Sequence, residues 1–277
     1  MGDESDTKMV LRLFPQPTVQ LAVEDVYQDI SFPTRRILTE VPEAGLPPKT
    51  RPYVIINMVA SLDGKATLHG KAGSIGSLTD RTIMRTLRSR ADAVMIGAGT
   101  LRSEKLRLDV PEYLVQAREA LNLRPQPLAV IATESGDLPL ERNLLGSSPE
   151  NLLILASPHT PEEKIAAFSA HASVEVLQEE DTSAPRPDPT VALQILKRRY
   201  AVSVLMVEGG PALIHSLVRR GLADELFLAL APRLLGGVRS NVLTILEGPT
   251  LPPQLPDPEI LSVHLAGDEL FLRYALR

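Results

Sequence analysis

The chain has 277 residues, of which 44 % are hydrophobic and 23 % charged, with a formal net charge of −5 and no cysteine. This composition is that of an ordinary globular protein, and the absence of cysteine excludes disulfides, thiol nucleophiles and Cys-ligated zinc. No cluster of Lys or Arg predicts a nucleic-acid or membrane surface, and the acidic start of the chain is unlike a signal peptide. We therefore expect a cytoplasmic protein that binds neither nucleic acid nor membrane.

Residues 1–51 are predicted to be a Pro-rich N-terminal extension of a domain that spans residues 52–277. Prolines are frequent between positions 33 and 52, and they disfavour long helices and central strands. The segment 21–30, LAVEDVYQDI, is compatible with a short helix. We expect the extension to pack over the surface of the domain.

From Pro52 onwards, buried-strand patterns alternate with helical patterns. Thr79, Thr160 and Asp188 are predicted to cap their helices. Strands are predicted at 53–60, 92–100, 127–133, 151–157, 173–178 and 203–210, and helices at 78–91, 111–123, 160–171, 188–200 and 211–221.

The pattern changes near the C-terminus. Residues 224–237 and 260–276 are strand-like with little helix between them, and the sequence AGDE at 266–269 is typical of a tight hairpin turn. Alternating strands and helices imply a mostly parallel sheet that is covered on both faces. We therefore predict an α/β fold with a mixed, mostly parallel sheet and an antiparallel C-terminal hairpin. An exposed edge strand at 269–276 would invite pairing with a second copy of the chain.

Two glycine-bearing loops follow predicted strands at the edge of the sheet where α/β proteins bind ligands. Gly209 and Gly210 open a helix, whose free N–H groups and dipole attract a phosphate or pyrophosphate. Gly97, Gly99 and Thr100 repeat the arrangement after another strand. Two such loops in one sheet indicate a dinucleotide, although the Rossmann spacing G-x-G-x-x-G and the P-loop are both absent.

Polar residues end strands in the same region. Glu208 comes just before the paired glycines, where its carboxylate is able to accept hydrogen bonds from ligand hydroxyls or amines. The stretch 57–77 begins with Asn57 at a strand end and includes Asp63 in the turn sequence SLDGK. The five histidines show no metal-ligand spacing, so we expect no metal site. The sequence also has no G-x-S-x-G elbow, so it gives no support to serine-based hydrolysis.

Three segments together resemble one family: RPYVIINMVASLDGKAT at 51–67, LRSRADAVMIGAGTL at 87–101 and LMVEGGPALIHSLVRRGLADELFLALAPRLLGG at 205–237. Over residues 51–277, the chain resembles the reductase domain of riboflavin biosynthesis. The resemblance implies a three-layer α/β/α fold like that of dihydrofolate reductase, and it implies a homodimer. Because the chain has no cysteine, it also implies the stand-alone form, without the deaminase half.

The resemblance further implies a reaction and a set of site residues. Members reduce the ribosyl group of a phosphorylated diamino-ribosylamino-pyrimidinone, or of its deaminated form, to ribityl with NADPH. Hydride goes to the sugar C1′ and a proton goes to the ring oxygen or hydroxyl. Cofactor contacts are expected from Gly97, Gly99, Thr100, Thr133, Ser157, Gly209 and Gly210. The substrate side is expected to hold Asn57, Asp63, Ser77, Glu104 and Glu208, with Asn57, Glu104 and Glu208 as the catalytic residues.

Three departures from the family pattern lie mainly on the substrate side. The fused bacterial enzymes carry Lys at the position of Asn57, whereas the single-domain reductases carry Asn there, as this chain does. SIGS at 74–77 replaces a Trp-Ile-Thr type of triplet, and SEKL at 103–106 replaces Asp-Asp-Pro, although Glu104 still supplies a carboxylate. The departures leave open another pterin, pyrimidine or small carbonyl substrate, or a nucleotide-binding protein without catalysis. Arg102 and nearby basic residues are placed to meet a 2′-phosphate, but the sequence does not decide between NADPH and NADH.

Overall fold

The computed structural model of the protein describes residues 9–33, 51–68, 71, 74–103, 106–139, 148–177, 188–237 and 242–276. The strands are β1 (Met9–Phe14), β2 (Val19–Ala22), β3 (Tyr53–Ser61), β4 (Ala93–Gly97), β5 (Leu128–Thr133), β6 (Leu152–Ala156), β7 (Ser173–Val176), β8 (Val204–Val207), β9 (Glu225–Ala231), β10 (Glu259–Ala266) and β11 (Glu269–Ala275). The helices are α1 (Leu78–Arg88), α2 (Ala98–Ser103), α3 (Glu112–Ala120), α4 (Glu162–Ser169), α5 (Pro189–Arg199) and α6 (Pro211–Arg219).

The strands form one mixed sheet, which confirms the predicted fold class. Their order is β2-β1-β10-β11-β9-β3-β8-β4-β5-β6-β7. Neighbouring strands are parallel from β9 through β3 to β7, and antiparallel from β9 through β11 and β10 to β2. The hairpin between β10 and β11 turns at Gly267 with a φ of 59°, as the AGDE sequence predicts. The carboxyl ends of the parallel strands therefore meet at one edge of the sheet.

Alternate residues of the central strand β3 face two separate cores. Ile55 belongs to the core that includes Ile83 of α1. Val54 and Ile56 belong to the opposite core, which includes Ile214 of α6. A strand that is buried on both faces reads as a continuous apolar run, and this explains the sequence pattern. Helices on both faces confirm the three-layer arrangement.

Part of the predicted N-terminal extension belongs to the sheet. β1 pairs with β10, and β2 pairs with β1. The predicted helix at 21–30 is wrong, because this segment ends β2 and continues into a 3-10 turn at Val23–Asp25. Tyr27 and Phe32 pack edge to face on Phe227 of β9, with ring centroids 5.0 and 6.2 Å apart. The boundary between extension and domain stays a prediction, but this segment supplies both strands and core residues.

The last strand lies inside the sheet rather than at its edge. β11 forms hydrogen-bonded ladders with β9 on one side and with β10 on the other. The prediction of an exposed edge at 269–276 is therefore wrong. It failed because the sequence predicts a surface tail for the N-terminal segment, whereas β1 and β2 extend the sheet beyond β10. Within the described residues, the strands at the two edges are β2 and β7.

Two of the three predicted helix caps are wrong. Asp188 caps α5 as predicted. The cap of α1 is Ser77 rather than Thr79, because the helix begins at Leu78, two residues earlier than a cap at Thr79 would require. In α4, Pro161 takes the cap position without a side-chain hydrogen bond, and Thr160 is buried instead.

In the described part of the chain, we find no helix with the length and apolar character needed to cross a membrane. The cytoplasmic location stays a prediction from the sequence.

Candidate active site

A large cleft opens at the carboxyl ends of β3, β4, β5 and β8. Its volume is about 2130 Å³, beyond the roughly 300–1,000 Å³ of pockets for single small ligands, so it has room for a dinucleotide and a second molecule. The predicted site residues that line it are Asn57, Gly97, Gly99, Thr100, Thr133, Glu208, Gly209 and Gly210. Asp63, Ser77 and Ser157 are not among the lining residues. Glu104 lies outside the described residues.

The two glycine loops lie side by side because β4 and β8 are adjacent parallel strands. The N–H of Gly97 donates to the carbonyl of Gly209 at 3.1 Å. Gly209 and Gly210 have φ values of 134° and 75°, which side chains disfavour. Gly210 is the N-cap residue of α6, so the free N–H groups of this helix face the cleft together with the loop. This arrangement fits the predicted anion site.

The short helix α2 follows β4 directly, where the sequence predicts only a glycine loop. Gly99 and Thr100 are therefore helical. A methyl group built on Gly99 would meet only the Arg102 guanidinium, at 3.9 Å, so this part of the wall presents bare backbone. Arg102 lines the cleft near its mouth, and its Nη1 donates to the Asp137 carbonyl at 2.8 Å.

Helix α1 presents one face to the cleft. Asp80, Met84 and Arg88 are four residues apart, so they lie on the same side of the helix, and all three line the cleft. The end of α1 meets the end of β8 through Arg88 and Glu208. Arg88 Nε donates to Glu208 Oε1 at 2.5 Å, and Nη2 donates to Oε2 at 2.6 Å.

The Arg88–Glu208 pair is buried, with side-chain exposures of 5 % and 7 %. Burial alone lowers the pKa of Arg88, but the charge and hydrogen bonds of Glu208 more than offset it, so the pKa is raised above its usual value. Arg88 Nη1 also donates to the carbonyl of Arg107 at 2.6 Å. Glu208 therefore stands in the cleft as a fixed carboxylate, and not as a solvated one.

Asp80 places a second carboxyl group in the same cleft. Burial, and then the charges of Glu269 and Glu208, raise its pKa from 3.8 to about 7, against the opposing charge of Arg81. The sequence marks Asp80 only as an acidic residue in the first turn of a helix. Arg88 has an equally weak signal, since basic residues are common in the last turn of a helix. Neither residue was predicted as part of the site.

Two predicted substrate residues instead hold the backbone around the cleft. Asp63 accepts hydrogen bonds from Ser61 Oγ at 2.6 Å and from the N–H groups of Leu235 and Gly236 at 3.1 and 2.7 Å. The hydrogen bond from Ser61, and then those from the backbone, lower the Asp63 pKa to about 2. Asp63 thereby ties the loop after β3 to the segment after β9.

Ser77 has a similar structural part. Its Oγ accepts from the Asp80 N–H at 3.0 Å and donates to the Glu269 carboxylate. Both its hydrogen-bonding functions are therefore used at the start of α1. The Ser157 side chain is fully buried and its Oγ accepts from the His159 N–H at 3.1 Å. His159 itself lines the cleft.

Thr133 reaches the far end of the cleft. It ends β5, and its Oγ1 accepts from the Gly136 N–H at 3.1 Å. This bond orders the turn that follows the strand. In the described residues, no group of His, Cys, Asp and Glu is arranged to hold a metal ion.

Comparison with known proteins gives a consistent result. The family model described as RibD C-terminal domain matches residues 52–262. A protein of Archaeoglobus fulgidus named 2,5-diamino-6-ribosylamino-4(3H)-pyrimidinone 5′-phosphate reductase is 35 % identical over 189 residues, which cover 68 % of this chain and 83 % of that protein. A protein of Aquifex aeolicus with the same name is 32 % identical over 204 residues, covering 72 % of this chain and 84 % of that protein.

Among solved structures, a pyrimidine reductase-like protein from Corynebacterium diphtheriae has a similar fold. The TM-score is 0.73 at 20 % identity, and the match covers 93 % of this chain and 100 % of that one. This similarity supports the fold alone.

Proposed function

Since the chain belongs to the RibD C-terminal domain family, we propose that it reduces the ribosyl group of 2,5-diamino-6-ribosylamino-4(3H)-pyrimidinone 5′-phosphate, or of its deaminated form, to a ribityl group. The Archaeoglobus and Aquifex reductases support this reaction, because the similarity to each extends over most of both chains. NADPH, when bound, supplies the hydride that goes to the sugar C1′. The bond from C1′ to the ring oxygen breaks, and a proton adds to that oxygen.

The glycine loops are the proposed cofactor site. Gly97, Gly99, Gly209 and Gly210 present backbone without side chains along one wall of the cleft. The N-terminus of α6 is proposed to hold the pyrophosphate through its free N–H groups. Thr100 and Thr133 are proposed to contact the cofactor along the same wall. Ser157 is buried, so its proposed part in cofactor binding is indirect. Its Oγ accepts from the His159 N–H and so positions His159, which lines the cleft.

The choice of NADPH over NADH is proposed to depend on Arg102. Its guanidinium lies at the cleft and is close to half exposed, with 44 % of the side chain accessible. Within the described residues, its ion pair is with the exposed Asp137 carboxylate at 3.6 Å, beside the hydrogen bond to the Asp137 carbonyl. Such a pair is weak, so a 2′-phosphate is able to compete for the guanidinium.

The opposite wall is the proposed substrate side. Asn57, near the middle of β3, is proposed to donate and accept hydrogen bonds with the substrate. Glu208 is proposed to stabilise positive charge that develops at C1′ while the ring bond breaks, because a fixed carboxylate whose side chain is only 7 % exposed acts strongly on developing charge. Arg88 keeps this carboxylate oriented through two hydrogen bonds. Glu104 is proposed as a further substrate carboxylate.

The single observation that carries the proposal is that the Arg88–Glu208 pair and the glycine loops line one cleft. Its test is the loss of NADPH absorbance with the purified protein and each of the two pyrimidinone phosphates, beside dihydrofolate and beside NADH. Turnover of either pyrimidinone to the ribityl product, identified by mass spectrometry, supports the proposal. Tight NADPH binding without that turnover would overturn it and favour another pterin, pyrimidine or small carbonyl substrate.

We also propose that the protein is a homodimer, through a face of the sheet rather than an edge strand. Partly exposed apolar residues lie directly opposite one another on four antiparallel strands. One row across the sheet is formed by Leu11, Leu265, Leu270 and Leu230, and the next by Phe14, Val263, Leu272 and Leu228. An apolar surface of this kind is typical of a protein interface.

A further inference from the structure

The start of α1 is built around a carboxyl group that points into the cleft. A Cβ added to Gly76 would lie 2.2 Å from Asp80 Oδ2, a distance that no side chain tolerates. The Asp80 carboxyl group therefore occupies the space that a side chain at residue 76 would take. Residue 76 is the glycine of the SIGS segment that precedes α1. The glycine at position 76 and the position of the Asp80 carboxyl group are therefore two parts of one arrangement.

The carboxyl group of Asp80 has no hydrogen bond from any residue that the structure describes. The charged groups around it are Glu269 from β11, Glu208 from the end of β8, and Arg81 from its own helix. Glu269 is itself bonded to Ser77, and its Oε1 is buried without a partner. Two carboxylates and one cation thus surround Asp80, whose side chain lines the cleft and is partly exposed there. A carboxylate that faces the cleft without a donor from the described residues is open to a ligand that brings N–H donors.

The ring edge of the proposed substrate has this chemistry. A 2-amino-4-oxo-pyrimidine presents its N3–H and its 2-amino group side by side, and a carboxylate accepts two parallel N–H donors well. In the deaminated form, a carbonyl oxygen replaces the 2-amino group. Its lone pairs would face the carboxylate oxygen, and one of the two hydrogen bonds would be lost. A carboxylate in this position therefore distinguishes the two forms of the ring.

Resting on the proposed function, we propose that Asp80 is a specificity-determining residue that selects the 2-amino-4-oxo-pyrimidine edge of the substrate over its deaminated, 2-oxo form. Gly76 is the residue that makes room for it. The protein accordingly acts before deamination of the ring, and a hydrolytic deaminase has to consume its product. The pKa of Asp80, which burial and the charges of Glu269 and Glu208 raise, agrees with this role, because two N–H donors from a ligand would lower it again and release the proton.

The test compares kcat/KM for the 2-amino substrate and its deaminated form, in the wild type and in Asp80→Asn. The wild type is expected to favour the 2-amino form by about tenfold to 100-fold. Asp80→Asn is expected to abolish most of this preference by slowing the 2-amino form. Asp25→Asn, the same substitution at an exposed position outside the cleft, is the matched control and is expected to leave the preference unchanged. Equal loss on both substrates, or an unchanged ratio in Asp80→Asn, would overturn the proposal.

Gly76→Ala tests the same geometry without removal of the carboxyl group. Because the new Cβ would collide with Oδ2, Asp80 has to turn away, and the preference is expected to fall as it does in Asp80→Asn. A Gly76→Ala protein that remains folded and keeps the full preference would contradict the arrangement.

A binding experiment separates this proposal from the proposed reaction. Isocytosine and uracil differ at the ring edge in the same 2-amino and 2-oxo groups, and neither requires turnover. Calorimetry near pH 7 in buffers of different ionisation enthalpy is expected to show tighter binding of isocytosine, with release of a proton in the wild type but not in Asp80→Asn. This result, with no reduction of either pyrimidinone, would refute the reaction and leave Asp80 in its role. Reduction of both pyrimidinones with equal binding of the two probes would refute the role and leave the reaction.

Discussion

Arg88 and Glu208 join the last turn of α1 to the carboxyl end of β8 through two parallel hydrogen bonds of 2.5 and 2.6 Å. The two residues are 120 positions apart in the chain, so the pair holds one wall of the cleft in a fixed position relative to the sheet. Because both groups are buried, removal of either partner leaves an uncompensated charge, which costs about 3–5 kcal/mol.

Glu208→Ala is expected to reduce kcat by about 100-fold or more, because a fixed carboxylate that stabilises developing charge is lost. The affinity for NADPH is expected to change much less, since the glycine loops remain. Steady-state kinetics and a fluorescence titration of NADPH measure the two effects separately. An unchanged kcat would remove Glu208 from the site.

The double variant Arg88→Met/Glu208→Gln separates stability from catalysis. It removes both charges, so the free energy of unfolding is expected to recover most of what Glu208→Ala loses. Turnover is expected to stay low. Recovery of turnover together with stability would mean that the pair is structural only.

Gly99→Ala is expected to weaken NADPH binding without harm to the fold. The added methyl group meets only Arg102 at 3.9 Å, and alanine is more favourable than glycine in a helix by about 1 kcal/mol. Gly210→Ala is the comparison, because the φ of 75° strains any side chain at that position by about 1–3 kcal/mol. Thermal unfolding without NADPH measures the stability of each variant, and the shift in melting temperature on addition of NADPH measures its affinity for the cofactor. Unaltered NADPH affinity in Gly99→Ala would remove α2 from the cofactor site.

Asp224→Ala is expected to lower the free energy of unfolding by about 3 kcal/mol or more. Arg51 donates to both Asp224 oxygens, at 2.6 and 2.9 Å, and the N–H of Val54 donates to Oδ2 at 2.7 Å. The side chains of the pair are each 5 % exposed. Chemical denaturation measures the effect. Asp268→Ala, in the exposed hairpin turn, is the control, and similar losses in both variants would contradict the assignment.

Asp80→Asn is expected to raise the melting temperature above pH 7 and to leave it almost unchanged near pH 4. Burial and the charges of Glu269 and Glu208 raise the Asp80 pKa from 3.8 to about 7. Between these two values the folded protein binds more protons at this group than the unfolded chain, so this group makes stability fall as pH rises. Asparagine has no proton to lose. Melting curves across this range check the prediction, and an equal pH dependence in both proteins would refute it.

Leu272→Lys is expected to convert the proposed dimer to a monomer at micromolar concentration, because it places a charge in the middle of the apolar rows on β1, β10, β11 and β9. Sedimentation velocity gives the result directly. Wild-type protein that sediments as a monomer under the same conditions would refute the dimer itself. A control substitution, Leu121→Lys, alters an exposed leucine beyond α3 and is expected to leave the association unchanged.

The parallel part of the sheet could be predicted from sequence because its signals are local. Continuous apolar runs such as 53–60 indicate strands buried on both faces, and the glycines at 209 and 210 end a strand and begin a helix. These patterns do not depend on distant residues. The glycine loops of the site followed from the same local signals, and the structure brings both into one cleft.

The other half of the site depends on contacts that the sequence does not show. Arg88 and Asp80 reach the cleft because of how α1 is rotated against the sheet, which the pattern of charges alone does not reveal. Ser77 has its partner, Glu269, 192 residues away. Asp63 has Gly236 at a distance of 173 residues. Polar residues beside a cleft were therefore predicted to bind substrate, although their hydrogen bonds are made within the protein.

The position of β10 sets a limit on how far the chain can be shortened. Its two neighbours in the sheet are β1, at the N-terminal end of the described chain, and β11, at the C-terminal end. The residues that match the family model, 52–262, contain neither of them and stop partway along β10 itself. A recombinant fragment cut at those limits would expose an incomplete strand with no partner on either side, and would lack the buried Phe271. Expression of the matched region alone is therefore expected to give aggregates, whereas a fragment that starts before Met9 and keeps β11 retains the complete sheet.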